Sequence, residues 1–91
     1  MSRPRQETLR ELLGRVHERL RHAGSVDQES RKLLGTLTRD IERTLGAQPS
    51  TKLEQESLPR LEALAVRFEA DHPALAQVLR QLIDALVKAG I

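Results

Sequence analysis

The chain contains no cysteine, no tryptophan and no tyrosine, and Phe68 is the single phenylalanine among its 91 residues. Without cysteine there is no disulfide framework, no thiol nucleophile and no thiolate zinc site. Without further aromatics there is no stacking platform for single-stranded nucleic acid. Long hydrophobic runs are also missing, and none approaches the roughly 20 residues that a membrane-spanning helix needs. Met1-Ser2-Arg3-Pro4-Arg5-Gln6-Glu7 leads into charged residues rather than an apolar stretch, so no secretory signal is expected. A cytoplasmic protein without membrane attachment is the expectation.

What remains is aliphatic and charged. A mass of 10.3 kDa, 31% charged residues and a mean hydropathy of −0.46 suit one small helix-rich domain. Fifteen Lys/Arg stand against thirteen Asp/Glu, a formal net charge of +2. The excess is uneven, since residues 1–46 hold ten basic against seven acidic groups and residues 47–91 hold five against six. That asymmetry is far from a basic arm and reads as a solvated surface.

Two helical patterns open the chain. From about Arg5 to Ala23, Leu9, Leu12, Leu13, Val16 and Leu20 share one face. Glu11 and Arg15 form an i,i+4 pair on the other, and Gly24 stands where a left-handed C-cap is expected. Gly14 lies off the apolar stripe and weakens its helix by up to about 1 kcal/mol relative to alanine. Asp27 has the chemistry of an N-cap for a second helix from about Gln28 to Leu45, with Leu33, Leu34, Leu37, Ile41 and Leu45 inward. So short a connection predicts an antiparallel hairpin. Residues 46–52 have linker composition, and Thr51 with Glu54 has capping-box spacing. Residues 1–91 read as one helical domain with that linker inside it.

The second half carries the strongest pattern. Leu58, Leu61, Ala65, Phe68, His72, Leu75, Leu79, Leu82, Leu86 and Ala89 alternate at spacings of three and four, a heptad series sustained over more than four repeats. Val78, Ile83 and Val87 widen its later part. Ser57 is the expected N-cap, because Pro59 is tolerated only in a first turn. Pro73 interrupts the backbone without shifting the phase. The chain either kinks at Asp71-His72-Pro73 and continues, or turns there and starts a fourth helix. The fold class is all-α under both readings: a helical hairpin plus a long third helix, Pro-kinked or broken, in a three- or four-helix bundle.

Chemistry-bearing motifs fail on geometry. His17-Glu18-Arg19-Leu20-Arg21 starts like His-Glu-x-x-His, but its i+4 position is Arg21, and His22 lies roughly 140° round the helix from His17. Glu69-Ala70-Asp71-His72 has the Glu-x-x-His spacing of bundle di-iron sites, which need a second copy and two more inward carboxylates. No second copy exists, and His72 reads as a helix-terminating residue. Asp84 and Lys88 read as a surface ion pair. No phosphate loop or nucleophile elbow is found. No catalytic residue, metal or cofactor is expected.

Arg67-Phe68-Glu69-Ala70-Asp71-His72-Pro73-Ala74-Leu75, with Asp84-Ala85-Leu86 and the terminal Ala89-Gly90-Ile91, resembles a family of small bacterial proteins of unknown function. Asp27, Ser30, Leu33-Leu34 and Asp40-Ile41 suit its N-terminal half, while Val87-Lys88 departs from the more polar pair of that pattern. The resemblance implies a bacterial, cytoplasmic helical protein and no assigned activity.

The reading that follows is a non-enzymatic protein acting through protein–protein contact, chiefly with itself. Helices of about 18 residues span roughly 27 Å, while Leu58–Ala89 as one rod would span about 48 Å. Leu75, Val78, Leu79, Leu82, Ile83 and Leu86 then require a bent-back fourth helix or a second chain, and a homodimer over this face is expected. The rival is a weak nucleic-acid-associated regulator using Arg3, Arg5, Arg10, Arg15, Arg19 and Arg21. Those arginines are spread around the first helix and mixed with glutamates, which disfavours phosphate tracking.

Overall fold

The structure, a computed structural model, describes residues 3–45 and 56–88. The expected linker at 46–52, the Thr51–Glu54 capping box and the Ala89-Gly90-Ile91 end lie outside the described residues. Among the described residues there are four helices: α1 (Arg3–His22), α2 (Gln28–Leu45), α3 (Leu58–Phe68) and α4 (Pro73–Lys88). Among the described residues there is no strand.

The heptad series is broken into two helices, so the long kinked rod is not what forms. Proline has no amide hydrogen and disfavours helical geometry in the residue before it, which takes His72 out of the helix. The His72 amide still donates to the Phe68 carbonyl, extending the helical path just past α3. The His72 carbonyl then accepts from Ala76 and opens α4. His72 thus occupies the N-cap position, and Pro73 sits in the first turn, where its missing donor costs nothing. A rod of about 48 Å also exceeds the longest Cα extent of 38 Å.

The reversal lays one half of the stripe on the other. Leu58, Leu61, Ala65 and Phe68 from α3 and Leu75, Leu79, Leu82 and Leu86 from α4 all become core. Leu64 and Ala76, outside the series, join them, whereas Val87 stays exposed. α4 is the central element, with α3 and α1 its closest neighbours. Residues 15–22 of α1 face residues 74–81 of α4, and residues 8–15 face 81–88, so these helices run antiparallel. α2 approaches α1 and α3 less closely. The expected hairpin of the first two helices is therefore not the dominant packing; α1 packs mainly on α4. Leu9, Leu12, Leu13, Val16 and Leu20 are buried as their spacing predicts. In α2, Leu34, Leu37 and Ile41 are buried but Leu33 only partly, and Thr38 replaces it, its hydroxyl donating to the Gly35 carbonyl at 3.0 Å.

Caps explain the joint between α1 and α2. The Ser30 amide donates to the Asp27 carboxylate at 3.0 Å, and the Arg31 amide donates to the Asp27 carbonyl, as an N-cap requires. Ser30, through its hydroxyl and its amide, holds the Asp27 carboxyl below its ordinary value, and the Arg67 guanidinium adds to this. Gly24 does not take the expected left-handed conformation. The end of α1 is closed instead by Arg31, which donates to the Leu20 carbonyl at 2.9 Å and the Ala23 carbonyl at 2.7 Å. A cation is favourably placed at the negative end of a helix, and here it adds a second donor to carbonyls that already accept from the Ala23 and Val26 amides. Ser57 also departs from expectation. It precedes α3 with helical angles (φ −80°, ψ −42°) and no side-chain capping bond. A π-type turn at 56–57 carries the helical path through it, so its hydroxyl is not aimed at the next amides.

Two outcomes follow for stability. Leu79→Ala or Leu82→Ala is expected to cost about 2–4 kcal/mol through lost burial and the residual cavity. Lys88→Ala, which removes only an exposed contact to Asp84 at 3.0 Å, should stay within about 0.5 kcal/mol. Urea denaturation separates them, and equal losses would show that the folded-back stripe is not the core. Arg31→Ala is expected to cost about 1–2 kcal/mol by removing two hydrogen bonds from a charged donor, while the Leu20 and Ala23 carbonyls keep the Ala23 and Val26 amides. Arg31→Lys should restore little, because an ammonium lacks the fork that spans both acceptors. Full recovery with lysine in the same denaturation would refute the capping role.

Candidate interaction surfaces

The six residues of the expected contact face divide. Leu75, Val78, Leu79, Leu82 and Leu86 are buried within the chain, covered by α1 and α3, while Ile83 is only partly buried. Bending back at His72–Pro73 supplies the cover that the straight-rod geometry assigned to a second copy. What remains available for contact lies on other faces.

The first is the seam between α1 and α4. Next to Arg15, Arg19 and His22 it opens into a cavity of about 460 Å³ walled on the α4 side by Gln77, Val78 and Gln81. A second cavity of about 440 Å³ continues toward Asp84 and Lys88. Its charges are largely internally balanced. Arg15 lies 3.4 Å from Glu11, Lys88 lies 3.0 Å from Asp84, and Glu18 sits among Arg15, Arg19 and His22.

The histidines and acids singled out from the sequence do not converge. His17 faces α2 and pairs with Glu42 at 3.1 Å. His72 shares a hydrogen bond with Ser25 Oγ at 3.3 Å and meets the Phe68 ring edge-on. Glu69 turns the other way and binds Arg80 at 2.7 Å. Sequence reasoning had no means of finding these partners, since His17–Glu42 and Ser25–His72 join separate helices. Among the described residues no group of three or more His, Asp or Glu is placed to hold a metal ion. No described helix is long and apolar enough to cross a membrane.

The second surface is the outer side of α3 and α4. Among the described residues, the exposed large apolar side chains are Val66, at 63%, and Val87, at 59%. Glu69–Arg80 ties the two helices across their outer seam. Val87 lies two turns beyond Arg80 on the same side of α4, and Val66 lies one turn before Glu69 on α3. Ile83, one turn before Val87, is partly buried against the core. Val87 was counted as core width by its spacing.

Comparison with known proteins gives one match. A family model described as "Domain of unknown function (DUF4404)" matches residues 9–91. That span includes Asp27, Ser30, the Phe68–Leu75 segment and the Gly90-Ile91 end on which the resemblance rests. No curated protein and no solved structure matches the chain.

Because Glu69 and His72 turn to different partners, protein purified without an affinity tag is expected to carry no stoichiometric zinc or iron. Elemental analysis near one metal per chain would show that these side chains rearrange into a site.

Proposed function

Because the chain belongs to the DUF4404 family, a domain of unknown function, we propose its role from its surface: a non-enzymatic helical module that works by protein–protein contact, chiefly by self-association. The contact is made by the outer α3–α4 face and not by the heptad stripe. The observation that carries this reading is the exposure of Val66 on α3 and Val87 on α4, where the other large aliphatic side chains described are wholly or partly buried. Single exposed aliphatics are ordinary on protein surfaces. Val66 shares the outer face of α3 with exposed Ala63 and Ala70, an apolar surface that a second copy can cover.

The nucleic-acid reading has less support. Arg15 and Arg19 line the α1–α4 seam, whereas Arg10 and Arg21 lie on the far side of α1 at 100° per residue. No single stripe of arginines tracks a phosphate backbone.

Light scattering coupled to size exclusion tests the proposal. One helical face buries less than a standard interface, so association is expected to be weak and to emerge between roughly 10 and 500 µM. The mass should rise from 10.3 kDa toward twice that value, and Val66→Glu should abolish the rise while leaving helicity intact. A mass that holds at one chain throughout would overturn self-association. Micromolar binding to duplex DNA at about 50 mM salt, weakening steeply as salt increases, would favour the rival.

A further inference from the structure

α3 carries a second, outward stripe opposite its core face. Pro59, Ala63, Val66 and Ala70 are all exposed, and their spacings of four, three and four are those of alternating heptad positions. The helical path supports all four, because the turn at 56–57 leads into α3 and the His72–Phe68 bond extends it past Ala70. Three of the four side chains are small, which lets a second helix approach closely. The flanks of the stripe differ in sign. Arg60 and Arg67 border one edge, and Glu62 and Glu69 border the other, all exposed.

From this pattern we infer that the occupant of the stripe is α3 of a second copy, packed parallel about a twofold axis running along the helix. The inference rests on the self-association proposed above and gives its orientation. In a parallel pair the edge bearing Glu62 faces the partner's opposite edge, and the residue five positions later, Arg67, is its expected ion-pair partner. The twofold makes that contact twice. An antiparallel pair would instead set arginine edge against arginine edge and glutamate edge against glutamate edge, which is repulsive. Glu62 has no ion-pair partner among the described residues, and Arg67 holds Asp27 only at 3.7 Å with its side chain 60% exposed. Its five donors leave room for a second acceptor. Glu69 is engaged by Arg80 and is not needed for the pairing.

The lack of cysteine makes the orientation directly measurable. Parallel packing places residue 70 beside residue 70 of the other copy, within reach of a disulfide. Antiparallel packing centred on the stripe would separate the two positions by about 16 Å, the rise of eleven residues. Ala70→Cys is therefore expected to give a covalent dimer under mild oxidation, reversible by reductant. Glu62→Arg should raise the dissociation constant about tenfold, and adding Arg67→Glu to it should restore most of the affinity, a recovery that a misfolded variant would not show. Association without the Ala70→Cys crosslink, or unaffected by Glu62→Arg, would overturn the parallel orientation while leaving self-association standing. A single-chain mass at all concentrations would overturn both.

Discussion

The reversal between Phe68 and Pro73 is the constraint on which the rest of the bundle depends. A sustained heptad stripe has no inside while its helix is straight. Breaking it at a residue that cannot continue a helix turns one long apolar face into two short faces that cover each other. α4 then has α3 on one side and room for α1 on the other, and its leucines vanish from the surface. The bend is local chemistry, a missing amide hydrogen and a steric restriction on His72. Its consequence is global, because burial of each large aliphatic side chain is worth about 1.5–3 kcal/mol.

The α1–α2 connection and the α3–α4 turn are held close at one end of the bundle by polar contacts. Ser25 meets His72, Asp27 meets Arg67, and Arg31 closes the end of α1. α2, the least closely packed helix, is thereby tied at its start by Asp27 and Arg31. Exposed ion pairs contribute little individually. The Arg31 fork is the stronger member, since it is part-buried and its charged guanidinium reaches two carbonyls at once.

With the heptad leucines buried within the chain, the surfaces left for contact lie elsewhere. The α1–α4 seam is roomy but mostly polar, and its charges are largely matched within the chain. The outer side of α3 and α4 differs in kind. It combines apolar side chains left exposed among the described residues with edges of opposite charge.

The sequence by itself determined the class, the first two helices to within a residue or two, the Asp27 cap and nearly all of the core. Leucine and valine at helical spacing cannot be placed otherwise without exposing several at once. Membership in a small family of unknown function was legible in the same way, from short motifs around Phe68–Leu75 and Gly90-Ile91. The tertiary structure alone decided whether Pro73 bends or reverses the chain, because heptad phase is the same on both sides of either. It also decided which helix pairs with which, and that Arg31 rather than Gly24 closes α1. These depend on contacts between residues far apart in sequence, and a periodicity says which face is apolar without saying what will cover it. The candidate surface was hidden for that reason: the leucine stripe drew attention as the face to be paired, and only its burial left Val66 and Val87 as the apolar surface still uncovered.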